Sequence, residues 1–155
     1  MKIRSVSFNN RRKGFEVKTW SKTYWYPYTR LATKPGAKDP ITRVFVDDEL
    51  GREGFTYVLE SGREDTVHIE QVLDYNQDPS YLRDLLLYRL TIEAKKQVEA
   101  NSLSKREIIR RLGTSAAQFY RLLDQTNYKK SMDQLIKLLN VLECDVDVVV
   151  SARSA

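Results

Sequence analysis

Residues Ser104 to Asp124 read Ser-Lys-Arg-Glu-Ile-Ile-Arg-Arg-Leu-Gly-Thr-Ser-Ala-Ala-Gln-Phe-Tyr-Arg-Leu-Leu-Asp. Ser104 and Glu107 have the spacing of a capping box, in which a serine hydroxyl accepts a backbone N–H at a helix start. A helix is therefore predicted from there, with Ile108, Ile109 and Leu112 on its inner face. Gly113 ends it, as glycine does where the chain must turn left-handed. Ser115 and Gln118 repeat the box, and Phe119, Leu122 and Leu123 form a second apolar face. A short helix, a glycine turn and a second short helix make a helix-turn-helix arrangement.

Upstream, Asp78-Pro79 predicts another helix start, with Asp as cap and Pro in the first turn. Leu82, Leu85, Leu86, Leu90, Ala94 and Val98 recur at helical spacing to about Asn101. This helix could join two halves of the chain as well as pack inside the second. Downstream, Ser131 and Gln134 form a third box, opening a helix with Leu135, Leu138, Leu139 and Leu142 inward. Val146, Val148 and Val150 alternate with Asp145, Asp147 and Val149, which suggests a short C-terminal strand.

The first half differs in composition. Eleven of sixteen aromatic residues precede residue 78, and thirteen of seventeen leucines follow it. Aromatic residues favour strands and leucines favour helices, so the halves read as β and then α. Strands are predicted over Lys2–Phe8, Gly14–Trp20, Thr23–Thr29, Thr42–Val46, Phe55–Leu59 and Thr66–Ile69. They suggest one small antiparallel sheet of five or six strands. Tyr24, Tyr26 and Tyr28 share one face of the third run and Trp25 takes the other, so that strand is expected to be central or covered by a partner. Ala32 to Pro40, with Pro35 and Gly36, reads as a loop. The expected fold class is α+β, with an N-terminal antiparallel β domain at 1–78 and an all-α helix-turn-helix domain with a short C-terminal strand at 79–155.

Charge narrows the function classes. The 155 residues carry a net +5, but this total hides +9 over residues 1–46, −8 over 47–84 and +4 over 85–155. Residues 104–130 alone hold seven basic and two acidic groups. One Cys (Cys144) and one His (His68) exclude an intrachain disulfide and a Cys/His zinc cage. No apolar run is long enough for a membrane span, and the basic N-terminus lacks the apolar core of a signal peptide. A cytoplasmic protein is expected, with no metal and no cofactor. The acidic run Asp47-Asp48-Glu49 with Glu53 reads as a solvated turn. His68 has no second His or Cys to work with and reads as a surface or cross-strand residue. No convergent catalytic set appears, so an enzyme is not expected.

The Ser104–Asp124 segment resembles the DNA-binding core of lambda-repressor-like (Xre-type) regulators, matching at Ile108, Leu112, Phe119, Leu122 and the Gly113-Thr114-Ser115 turn. The resemblance covers residues 82–150, and the ending is similar to antitoxin-type members. Two positions depart from it. Ile109 stands where the family usually has a small residue, and Glu143 where a Gly usually ends the last helix. More diffusely, residues 1–73 resemble a small bacterial β domain that implies no known chemistry.

The resemblance implies sequence-specific binding of double-stranded DNA, transcriptional regulation as a repressor or activator, and a homodimer on two half-sites. In such motifs the second helix, about 115–124, enters the major groove. Ala116, Ala117, Gln118, Tyr120 and Arg121 are the expected base readers, Arg121 foremost because a guanidinium can grip guanine O6 and N7 together. Asp124 shares their stripe. Lys105, Arg106, Arg110, Arg111, Ser115, Thr126, Asn127, Tyr128, Lys129 and Lys130 are expected at phosphates. An alternative is an antitoxin whose β domain binds a toxin through the aromatic strand Thr23–Tyr28. A third reading gives the basic aromatic sheet, residues 2–43, to single strands or RNA.

Overall fold

The computed structural model describes residues 1–153. The chain divides into two compact units, Met1–Leu82 and Arg83–Ala155. The expected boundary after residue 78 coincides instead with the cap of the helix Pro79–Ala100, and the division falls inside that helix.

The first unit corrects the expected fold. It holds two three-stranded antiparallel sheets, not one sheet. The first has the order β1 (Ile3–Asn9), β2 (Gly14–Thr19), β3 (Thr23–Pro27), and the second β4 (Ile41–Val46), β5 (Gly54–Leu59), β6 (Glu64–His68). The break lies between β3 and β4. A 3-10 turn, Tyr28–Arg30, and a loop with Pro35 and Pro40 separate them. That connection is too long and too rich in proline, which has no N–H to donate, to close a hairpin.

The central strands are β2 and β5, and both are buried almost throughout. β3 is therefore an edge strand, which overturns the central placement but not the alternative of a covered strand. Tyr24, Tyr26 and Tyr28 point into a core shared with Phe15, Phe55 and Tyr57, the last three almost wholly enclosed. Trp25 faces the other way. Its indole lies across Gly14, where an added Cβ would stand 2.1 Å from the ring, and the Arg12 guanidinium stacks 4.5 Å above it. One glycine and one arginine thus give an outward tryptophan its shelter.

The turns use short polar side chains. The Asn9 carboxamide oxygen accepts from the N–H groups of Arg11 (3.1 Å) and Arg12 (3.0 Å). Asp47 Oδ1 accepts from Glu49 N–H at 2.9 Å, its Oδ2 accepts from the Thr56 hydroxyl at 3.2 Å, and Asp48 pairs with Arg52 at 3.0 Å. The acidic run is a turn with its own partners. His68 ends β6 and caps α1 (Ile69–Tyr75), a helix that sequence reading missed. Its Nδ1 accepts from Glu70 N–H at 3.3 Å. The first unit is thus not purely β.

Asp78 caps α2 (Pro79–Ala100), accepting from Tyr81 N–H at 3.2 Å. It is 4 % exposed and also accepts from the Tyr24 hydroxyl at 2.9 Å and Lys22 Nζ at 3.1 Å. Burial alone would raise its carboxyl pKa, but these three donors outweigh burial and hold it below the usual range. Tyr24 is pushed up to about 12 by burial and by the neighbouring carboxylate.

The second unit packs around Leu87, Ala94, Val98, Ile108, Leu112, Phe119, Leu122, Leu135, Leu138 and Leu139. In α2 the buried stripe is Leu87, Thr91, Ala94 and Val98, and Leu86, expected inward, is exposed. α3 (Lys105–Leu112), α4 (Ala116–Leu123) and α5 (Met132–Val141) follow. Glu143 adopts φ +60° and completes the end of α5: its N–H donates to Asn140 O (3.0 Å), and Cys144 N–H to Leu139 O (2.9 Å). A glutamate fills the left-handed position that glycine usually takes. The expected C-terminal strand is absent among the described residues. Residues 145–153 form no regular element, and Val148, Val149 and Val150 are 78–89 % exposed. The valine pattern has strand propensity, but this unit offers no sheet edge to supply ladder hydrogen bonds.

Candidate nucleic-acid interface

The two short helices α3 and α4 form where the polar caps require them. Ser104 accepts from Glu107 N–H at 3.2 Å, Ser115 from Gln118 N–H at 3.1 Å, and Ser131 from Gln134 N–H at 3.3 Å. In all three only the serine half of the box is formed among the described residues. Glu107 sends its carboxylate to Arg110 Nε (2.9 Å) and Arg111 Nε (3.0 Å) rather than back to its cap. Those guanidinium groups, Arg110 first, drop the Glu107 carboxyl to about 2. Gly113 stands at φ +71°, and its N–H donates to Ile109 O and Arg110 O. Nothing crowds its Cβ position, so backbone conformation is what requires glycine there. Ile109 is half-buried against the unit's core.

α4 buries Phe119 and Leu122 and exposes Ala116, Ala117, Gln118, Tyr120 and Arg121. All five expected base readers are therefore on the surface. Ala117, Tyr120, Arg121 and Asp124 share one stripe by helical spacing. Tyr120 is 54 % exposed and its ring stands edge-on to Phe119, 5.2 Å between centres. The Arg121 guanidinium is exposed and makes no hydrogen bond or ion pair among the described residues. Asp124, at the stripe's end, accepts from the Thr126 hydroxyl (2.7 Å) and N–H (2.9 Å), which hold its carboxyl below the usual range.

The expected phosphate contacts fall into three states. Arg106 and Lys129 are exposed, and their side chains are unpaired among the described residues. Lys105, Arg110 and Arg111 are exposed but paired, Lys105 with Glu99 at 3.2 Å and the arginines with Glu107. Lys130 is turned inward. Its Nζ donates to Thr91 Oγ1 (2.8 Å), Leu122 O (3.0 Å) and Asp124 O (2.6 Å). An ammonium has three N–H donors, and all three are committed. Burial pulls its pKa below the ordinary lysine value. Lys130 is a cation at the C-terminal end of α4, where free carbonyls and the helix dipole favour positive charge.

The connecting loop is similarly braced. Asn127 N–H donates to Asp124 O (3.1 Å) and its side chain to Arg121 O (3.5 Å), while its Oδ1 accepts from Lys129 N–H (3.1 Å). Tyr128 and Thr126 remain exposed. Ser115 is occupied as a cap but keeps its own hydroxyl proton to donate. Thr91 was missed in the sequence. A threonine within an otherwise apolar helix stripe was the available signal.

Of the rings on the strand expected to meet a toxin, Tyr24, Tyr26 and Tyr28 lie in the core, and Trp25 alone faces outward. Among the described residues no group of three or more His, Cys, Asp or Glu is placed to hold a metal ion, and no helix is long and apolar enough to cross a membrane. Compared with protein-family models, curated proteins and solved structures, the chain matches none of them.

Proposed function

We propose that the chain is a sequence-specific reader of double-stranded DNA and a transcriptional regulator, acting as a dimer with α4 in the major groove. The observation that carries this reading is the unpartnered Arg121 guanidinium on an exposed stripe beside Ala117 and Tyr120. A solvated arginine on a short, capped helix is poised for bidentate contact with guanine, and alanine methyls fit thymine methyls. Arg106 and Lys129 supply phosphate contacts that set register without reading sequence. Few side chains here can hydrogen-bond bases, so groove shape and deformability carry part of the specificity. Two copies would meet half-sites about one helical turn apart.

The test is fluorescence anisotropy on a labelled duplex from upstream of the chain's own gene, against a scrambled duplex. Preference for the upstream duplex at ~0.15 M salt, with a steep negative log–log salt slope, supports autoregulation. Equal affinity for both duplexes across the salt series contradicts it.

A further inference from the structure

The first unit contains a cavity of about 500 Å³ between the β1–β2 turn, the 3-10 turn and the proline-containing loop. That is the volume of a small-ligand site. Its floor is the Tyr28 ring, 8 % exposed, packed edge-on to Phe15 in the core at 5.1 Å. The Tyr28 hydroxyl donates to Asn10 Oδ1 (2.8 Å), and Asn10 Nδ2 donates to Ile41 O (2.8 Å). The floor's polar atoms are thus satisfied internally, and a ligand need not pair with them. Pro35, Ala37 and Pro40 add apolar wall.

Lys13 and Lys34 are among the residues that line the same space, and no acidic residue is. Lys13 Nζ has no partner among the described residues, and Lys34 Nζ reaches only the Thr29 carbonyl, at 3.4 Å. The Lys13 backbone sits at φ +58°, and its carbonyl accepts from Tyr28 N–H at 3.0 Å. The backbone that carries Lys13 is therefore tied to the backbone of Tyr28. Asp39, the acid nearest in the chain, is taken by Arg63 (2.9 Å) and by the Ser61 hydroxyl (2.8 Å). An apolar cavity edged by two cations and no anion selects an apolar body carrying negative charge. We propose that this cavity binds a small organic anion, its apolar part on Tyr28 and the prolines and its carboxylate or phosphate between Lys13 and Lys34.

The site is independent of the DNA reading and is tested without DNA. The full chain is titrated with benzoate and phenyl phosphate, followed by backbone amide NMR, with benzamide and inorganic phosphate as controls. Probes of this size bind in the millimolar range. Saturable shifts at Thr29, Gly36 and Ala37 are expected with either organic anion. They should weaken about ten-fold or more in the K13N/K34A variant, the scale of losing charge-assisted hydrogen bonds. Asn tolerates the left-handed backbone at position 13, so the fold should persist and the remaining spectrum should be unchanged. Absence of shifts with both organic anions overturns the proposal. So does equal binding of benzamide, equal binding of inorganic phosphate, or binding that survives in the double variant.

Discussion

The ammonium of Lys130 donates to the hydroxyl of Thr91 at 2.8 Å, which joins the end of α4 to the middle of α2. Thr91 is fully buried, and its hydroxyl donates to Leu87 O at 2.6 Å. A lysine in a basic loop is thus structural, while its neighbour Lys129 is exposed. Lys130→Met should lower stability by roughly 1–2 kcal/mol, because Leu122 O and Asp124 O lose their donor. It should leave the salt slope of DNA binding unchanged. Arg106→Ala and Lys129→Ala should do the reverse, each reducing the slope by about one with little loss of stability. Denaturant titration and salt-dependent anisotropy on the three variants check both halves.

Gly14 and Trp25 predict a spectroscopic effect. A methyl at position 14 collides with the indole. Gly14→Ala should force Trp25 off the strand and out from under Arg12. Its emission should shift to the red, and stability should fall by about 1–3 kcal/mol, as overpacked positions do. An unchanged emission spectrum would mean that the ring is not seated on that glycine.

Glu143 invites a gain. A side chain at φ +60° costs about 1 kcal/mol relative to glycine. Glu143→Gly should therefore raise the unfolding midpoint modestly without altering DNA affinity. A fall in the midpoint would show that the carboxylate makes a compensating contact.

Asp78 sets an acid dependence. Its carboxyl is held below the usual range in the folded chain, so its stabilising contribution is complete above the unfolded carboxylate pKa of about 3.9 and declines as pH falls through the lower folded value. Asp78→Asn still offers an oxygen to cap α2 but gives up the charged acceptor for Lys22 and Tyr24. The variant should be less stable than the parent at neutral pH, and the gap should narrow below about pH 3.9. A gap constant from pH 7 to pH 2 would remove Asp78 as the titrating group.

The helical half was largely legible because its signals are local. Serine at a cap, glycine at a left-handed position and leucine at helical spacing each act within a few residues, and Ser104, Gly113 and Phe119 stand where those signals put them. The sheets were less legible because strand pairing is decided at long range. The sequence pattern of β3 suits a central strand, yet Trp25 finds cover from Gly14 and Arg12 instead of a neighbouring strand. The valines after Asp145 show the converse: β propensity without a partner makes no strand. At the candidate interface, helical spacing located the exposed stripe of α4. Spacing could not separate Lys130 from Lys129, since only the fold brings Thr91 and two helix-end carbonyls to one of them.

On the proposed function, α4 reads sequence through Arg121. The most direct test compares the parent chain and Arg121→Ala on the preferred duplex and on its single-base-pair variants, by anisotropy at fixed salt. A loss of roughly 1–3 kcal/mol on the preferred duplex and relaxed discrimination at one base pair of each half-site are expected. Unchanged affinity together with unchanged sequence preference would contradict it.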